Sequence, residues 1–292
     1  METKESAISP TYSELGRVIR VFFSRKLSLI GFIVIIIFIL IAIFAPLIAP
    51  YDPYKIELVN KLTKPSLAHL LGTDSLGRDI FSRLIYGSRT SLLIGILAVG
   101  LAAIVGQTLG LIAAYFGGVI SLIIMRCIDA LMAIPMILNA LVIAAILGGG
   151  IKNVIIALGI VMISSQARLM FGQALTIRQN EYVTAGHAAG ASNARLMLQH
   201  ILPNCFPPLI VLITVEMGMC ILSEAALSFL GIGITPPTPA WGSMVSEGYK
   251  YILDFPILAF APGVAIMLAV FSFNMVGDGL RDALDPRLRG TL

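Results

Sequence analysis

Charge is scarce in this chain. Only 12% of its 292 residues are Asp, Glu, Lys or Arg, where a soluble domain carries about 25%. That scarcity excludes an ordinary soluble domain. Cysteine is scarce too. Cys127, Cys205 and Cys220 lie in or beside apolar runs without metal-ligand spacing, which excludes a disulfide framework and predicts free thiols. The three histidines, His69, His187 and His200, are far apart and none has a ligand set nearby, so no metal site is predicted. No Gly-x-x-x-x-Gly-Lys-Ser/Thr loop occurs, so the chain has no phosphate cradle of its own. No nucleophile stands beside a base, which counts against an enzyme embedded in the membrane. The formal charge of +4 is small, and the basic residues are scattered without interleaved aromatics, so no nucleic-acid partner is expected.

What is present is apolar surface. The chain is 58% hydrophobic, with a mean hydropathy of +0.94. Its apolar runs are too long for barrel strands, so an all-α polytopic membrane protein is expected. Six spans are predicted, at about 28–49, 91–116, 120–147, 154–171, 209–230 and 256–276. No small-residue cleavage site follows the first run, which therefore reads as an uncleaved span with membrane lipid around it. Arg17, Arg20, Arg25 and Lys26 precede that span and favour a cytoplasmic N-terminus. Six spans then place the C-terminus on the same side. The expected division is a cytoplasmic tail 1–27, a transmembrane domain 28–277 with a cytoplasmic loop at about 172–206, and a cytoplasmic tail 278–292.

Local signals fill in this frame. Asp79 is predicted to cap a helix. That helix reads as amphipathic and interfacial, with Ile80, Phe81, Leu84 and Ile85 on one face and Ser82, Arg83, Tyr86 and Arg89 mostly on the other. Gly106-x-x-x-Gly110 forms a ridge that permits close helix packing. Gly117-Gly118 and Gly148-Gly149-Gly150 mark tight turns. Pro135 falls within span three, frees the carbonyl of Leu131 and predicts a kink. Arg126 and Asp129 stand three apart and can pair; a structural pair near the cytoplasmic end is the preferred reading, a substrate contact the alternative. Glu216 and Glu224 stand eight apart on one face of span five. They could meet a cationic substrate or a partner subunit; helix–helix hydrogen bonding is the alternative. Trp241 reads as an interfacial anchor.

The polar stretch between spans four and five carries the most information. Residues 181–192 read EYVTAGHAAGAS and 193–204 read NARLMLQHILPN. Small residues favour a helix over 181–189. Gly190 can adopt the left-handed turn that ends it. Ser192 can cap a second helix, 193–202, which Pro203 is expected to stop.

This stretch resembles the cytoplasmic coupling loop of ABC importer permeases, whose pattern is Glu-Ala-Ala, three residues, Gly, nine residues, Ile-x-Leu-Pro. Thr184-Ala185-Gly186 stands at the first triplet, Gly190 at the glycine, His200 at the isoleucine, and Leu202-Pro203 at the end. Three further segments resemble the C-type permease subunit of the dipeptide, oligopeptide and nickel importers. They are 69–92 (HLLGTDSLGRDIFSRLIYGSRTSL), 225–233 (AALSFLGIG) with 236–242 (PPTPAWG), and 273–287 (FNMVGDGLRDALDPR).

The resemblance implies a six-helix permease of the type I importer fold, resident in the inner membrane. It implies a heterodimer with a second, homologous permease subunit. Two cytoplasmic ABC ATPase subunits would bind ATP and Mg, this chain binding no cofactor, and an extracytoplasmic binding protein would deliver substrate. The coupling residues it implies are Glu181, Tyr182, Thr184, Ala185, Gly186, Gly190, Ala191 and Ser192. The translocation path is expected to use scattered polar groups such as Asn139, Glu216 and Glu224. The implied cargo is di- or oligopeptide, with nickel chelate or glutathione as alternatives. An ATP-independent channel or secondary transporter is the rival from another class.

Overall fold

The structure, a computed structural model, describes residues 10–284, with side chains from residue 16 onward. The expected tail beyond Leu284, including Arg287 and Arg289, and residues 1–9 lie outside the described residues. The elements are α1 (Pro10–Ser24), α2 (Lys26–Ile43), α3 (Ala45–Ile48), α4 (Ile80–Phe116), α5 (Gly118–Met132), α6 (Met136–Leu147), α7 (Ile151–Arg178), α8 (Glu181–Ala188), α9 (Asn193–Arg195), α10 (Leu202–Phe229), α11 (Trp241–Tyr249) and α12 (Ile257–Leu284). A π turn, Leu196–Ile201, joins α9 to α10.

Among the described residues, five helical stretches are long and apolar enough to cross a bilayer: α2, α4, α7, Asn193–Phe229 and α12. The pair α5 and α6 supplies a sixth crossing when counted as one span. Their outward faces carry Ile33, Leu40, Leu97, Ile104, Met267 and Phe271 in exposed positions. In water such a surface would be unfavourable; in hydrocarbon it is the required solvent contact. The protein is a multi-pass membrane protein.

The α4–α7 pair forms the centre. A Cβ added at Gly106 would come within 2.6 Å of the Ile163 carbonyl oxygen, and one at Gly110 would collide with the Ala167 carbonyl. The expected glycine ridge therefore sets the distance between these two helices. α10, α12 and α2 pack around them, and buried Ile94, Leu158, Ile221 and Ala269 fill the core.

Two ends can be told apart. At one, α4 ends at Gly117 (φ +67°) and the chain re-enters through α5. α7, α8 and the start of α10 meet there, as do Arg25 and Asp282, which form an ion pair between α2 and α12. The opposite end holds α3, the irregular segment 49–79 and α11. Gly150 N–H donates to the Gly233 carbonyl there at 3.1 Å.

Four expectations are corrected. First, span three is broken rather than kinked: α5 and α6 meet at 93°. Pro135 removes one helical donor and fixes its own φ, so the two segments separate completely. Second, Pro203 does not stop the second loop helix. It falls in the first turn of α10, where an absent N–H leaves no bond unmade. The Asn204 side chain donates to the His200 carbonyl at 2.6 Å, so that carbonyl keeps a donor. Pro207 and Pro208 also lie within α10, and the polar loop thus closes at the π turn rather than at the prolines.

Third, α4 runs unbroken from Ile80 through span two, and the first turn of its polar face is not turned to water, whereas Tyr86 is half-buried and Arg89 exposed. Ser82 and Arg83 are buried, at 0% and 1% exposed. The segment 49–79 folds over that face, which helical periodicity alone cannot register. Fourth, Trp241 is not an interfacial anchor. It is 1% exposed, stacks edge-on against Phe38 with centroids 5.2 Å apart, and donates Nε1–H to the Leu84 carbonyl at 3.0 Å.

Residues 10–24, expected only as tail, form helix α1, whose Phe22 packs against Val276 and Ala283 of α12.

Candidate functional site

The loop between α7 and α10 is a surface element anchored by the buried side chains of Val183, Leu196 and Ile201. In α8, Val183 is buried, and Glu181, Tyr182, Thr184, Ala185, His187 and Ala188 are exposed. Gly186 lies against Leu196; a methyl there would come within 3.0 Å of Leu196 Cδ2. Gly190 has φ +82°, the left-handed turn expected of it, and nothing lies within 4 Å of the position its Cβ would occupy. Ala191 N–H donates back to the Gly186 carbonyl. Ser192 caps α9 by accepting from Arg195 N–H at 3.4 Å.

The loop is tied to the bundle at its base. Tyr115 at the end of α4 donates its hydroxyl to Asn193 Oδ1 at 2.7 Å. Arg178 at the end of α7 donates to the Ala114 carbonyl at 3.0 Å and lies 5.8 Å from the Tyr115 ring centroid. The loop therefore presents Thr184, Ala185 and Ala188 outward beside the larger Glu181, Tyr182 and His187, with Val183 packed behind against α7 and α10. The exposed run Ala188-Ala189-Gly190 is small, and such a surface can enter a partner's groove without steric conflict.

The three residues expected on a path fall in three settings. Glu216 lines a cleft of about 390 Å³ opened by the α5–α6 break, together with Met132, Pro135, Met162, Ser165 and Met219. That volume is in the range of small-ligand sites, about 300–1,000 Å³. Glu216 is 6% exposed. It accepts from Ser165 Oγ and from Gln166 Nε2 at 2.7 Å, and Gln107 Nε2 donates to Gln166 Oε1 at 3.0 Å. A chain of polar groups thus runs from α4 through α7 to α10, opening on the cleft.

Asn139 does not line that cleft; it holds the break open. Its Nδ2 donates to the carbonyls of Leu131 at 2.7 Å and Ile134 at 3.3 Å. Glu224 is fully buried near the α11 end. Its Oε1 accepts from Ser228 Oγ at 2.7 Å, and that oxygen in turn accepts from Ile234 N–H at 3.0 Å. Glu216 and Glu224 share a helix, but only Glu216 reaches open space.

A charged group that periodicity missed lies at the α11 end. Arg83 Nη1 donates to the carbonyls of Pro53 and Pro237, each at 3.3 Å. Arg78 bonds Asp74 at 2.6 Å and Glu247 at 2.9 Å, and Arg83 stands 3.5 Å from Asp74 and 3.6 Å from Glu247. Two guanidiniums and two carboxylates thus join segment 49–79, the Pro237 loop and α11. Arg83 Nη2 and Glu247 Oε1 are buried without a hydrogen-bond partner beside a cavity of about 20 Å³, room for about one water. Asp79 closes the neighbouring turn. It accepts from Ser82 N–H at 2.8 Å as the expected cap, and its other oxygen lies 2.9 Å from His69 Nδ1. The charged residues Asp74, Arg78 and Asp79 inside a segment of turns are the signal in the sequence, whereas helical periodicity puts Arg83 on a polar face.

Comparison with known proteins places this architecture. A family profile described as "Binding-protein-dependent transport system inner membrane component" matches residues 106–290. A second, "N-terminal TM domain of oligopeptide transport permease C", matches residues 13–65. Among curated relatives, the dipeptide transport system permease protein DppC of Alkalihalophilus pseudofirmus is 44% identical over 288 residues, covering 99% of this chain and 93% of that protein. The glutathione transport system permease protein GsiD of Escherichia coli O6:K15:H31 is 44% identical, covering 93% and 90%. The probable D,D-dipeptide transport system permease protein DdpC of Escherichia coli K12 is 42% identical, covering 90% and 89%. In fold, the chain is similar to a chain of the MetNI methionine ABC transporter in an inward-facing form. The TM-score is 0.57 at 17% identity, over 70% of this chain and 98% of the other. Fold, loop and relatives agree: the chain belongs to the family of binding-protein-dependent transport system inner membrane components, the permease subunits of ABC importers.

Proposed function

We propose that this chain forms half of the translocation unit of an ATP-driven importer of short peptides, in a heterodimer with a second permease subunit of similar fold. Two cytoplasmic ATPase subunits, which carry ATP and Mg, receive α8 and the Gly190 turn. An extracytoplasmic binding protein delivers peptide at the α11 end. In this reading the α8 end and both termini are cytoplasmic, consistent with the basic residues before α2.

The observation that carries the reading is the loop itself: Thr184, Ala185, Ala188, Ala189 and Gly190 lie exposed outside, Val183 packs behind in a cluster with Met170 and Ala174 of α7 and Cys205 of α10, and Asn193 at the base is bonded to Tyr115 of α4. Closure of the ATPases moves α8, and those ties pass the movement to the helices that line the cleft. The spans form a two-state element, biased by nucleotide at one end and by loaded binding protein at the other.

Peptide as cargo is supported by the names of the relatives. Glutathione, itself a tripeptide, is a second reading favoured by the GsiD likeness. The test is uptake by cells carrying the complete system with its cognate binding protein. Labelled dipeptide, tripeptide and glutathione are compared with radioactive nickel, with and without a histidine chelator. Peptide uptake that requires this chain is the expected result. Nickel uptake alone would overturn the cargo and leave the permease assignment standing.

A further inference from the structure

Three charged side chains stand exposed on the surface that α5 and α7 share. Arg126 and Asp129 lie on α5 and Arg168 on α7, and their side chains are 74%, 38% and 48% exposed. Asp129 pairs with Arg168 through Oδ1 and with Arg126 through Oδ2 at 3.5 Å. At about 1.5 Å per residue, Asp129 lies about 16 Å from the start of α5, and Arg168 about 15 Å from the end of α7. An arginine can carry its charge several ångströms along a helix toward water. Asp129, with a single methylene, cannot. An ionised carboxylate does not face hydrocarbon, and charges within spans face a bundle interior or a water-filled cavity. This surface is therefore wet.

The hollow around the trio, about 400 Å³, lies beside the cleft that holds Glu216. Ser165, which bonds Glu216, precedes Arg168 by one turn of α7. Leu131 and Met132 of the cleft wall lie two and three residues beyond Asp129 on α5. Polar groups thus descend turn by turn from the cleft toward the α8 end. The trio holds two guanidiniums for one carboxylate, and the long contact to Arg126 leaves donors unused.

We propose that Arg126, Asp129 and Arg168 line the aqueous inner half of the translocation path and form a transient site for the α-carboxylate of the peptide. Asp129 occupies the guanidiniums when the path is empty, and the substrate carboxylate displaces it. Arginine suits this role because its planar fork matches a carboxylate. Exposure keeps the site weak, so release is not slowed. The proposal rests on the reading of this chain as a peptide permease.

The test uses the complete transporter in cells lacking other peptide uptake. Uptake of a dipeptide and of the same dipeptide as its C-terminal amide is measured for the parent, Arg168→Gln, Arg168→Lys and Arg126→Gln. Selection by the binding protein cancels when each variant is compared with the parent on the same substrate. Arg168→Gln should lower dipeptide uptake about tenfold, the worth of one charge-assisted hydrogen bond, and leave the amide within about twofold. Arg168→Lys, which keeps the charge without the fork, should retain part of the uptake on the dipeptide. Equal loss on both substrates, or no loss on either, overturns the carboxylate site. If Arg168→Gln does not accumulate in the membrane, Arg126→Gln, at a largely exposed side chain, decides by the same comparison. A parent that takes up neither substrate counts against the peptide cargo itself.

Discussion

The Asn139 side-chain amide donates to the Leu131 carbonyl at 2.7 Å across the break between α5 and α6. That carbonyl is the one Pro135 leaves without a helical donor. One residue creates the gap and the other closes it. The 93° turn therefore persists without leaving the Leu131 carbonyl unpaired in an apolar setting.

This relationship is open to a double-mutant cycle. Asn139→Leu should destabilise the protein by about 1–3 kcal/mol, the cost of an unsatisfied buried acceptor. Pro135→Ala restores a backbone donor and should recover part of the loss. Thermal unfolding in detergent reads both. An Asn139→Leu protein with the parent's unfolding temperature would remove the amide from this role.

Gly106 and Gly100 offer a paired test of the α4–α7 contact. Leucine at Gly106 must displace the Ile163 carbonyl, whereas nothing lies within 4 Å of a Cβ at Gly100. Gly106→Leu should cost about 1–3 kcal/mol or more through overpacking and reduce membrane abundance. Gly100→Leu should behave like the parent. Similar behaviour of the two variants would contradict the close approach.

At Gly190 the backbone is left-handed but the space is open. Gly190→Arg should therefore cost only about 1–2 kcal/mol of backbone strain and leave the chain in the membrane. Uptake should nevertheless fall about tenfold or more, because a bulky cation would stand on the surface proposed to seat the ATPase. Gly190→Ala carries the strain without the bulk and separates the two effects. Parental uptake in the arginine variant would show that coupling lies elsewhere.

Arg83 joins three segments at the α11 end. Arg83→Ala should cost about 3–5 kcal/mol, as removal of one member of a buried ion pair does. Arg83→Lys should not restore the loss, since one ammonium cannot replace the fork that spans the Pro53 and Pro237 carbonyls. The measurements are unfolding temperature and protease sensitivity of segment 49–79. A protein unaffected by Arg83→Ala would mean that the cluster does not hold the outer segments together.

Local chemistry made much of this protein readable without coordinates. Long apolar runs force helices, because hydrocarbon offers no partner for backbone groups. Gly106, Gly110, Gly117 and Gly190 mark close approach or positive φ, and Asp79 and Ser192 mark caps. Each acts within a few residues of its own position, so sequence order carries the information. The spacing of the α8 loop, together with the segments around it, identified the family for the same reason.

Tertiary packing decided the rest. Helical periodicity placed Arg83 in water because segment 49–79, which covers it, contributes nothing to the period of α4. Trp241 read as an anchor because aromatic residues near span ends usually lie at the interface, and its pocket is built from α2 and α4, far off in sequence. Pro203, Pro207 and Pro208 read as a stop because the π turn that precedes them has no local signature. Asn139, Glu216 and Glu224 looked alike as polar residues in spans, and only packing made one a cap at a helix break, one a cleft wall and one a sealed core group. The partnership of Asp129 with Arg168 spans two helices. Local rules act along the chain, while burial and ion pairing depend on which distant segment arrives alongside.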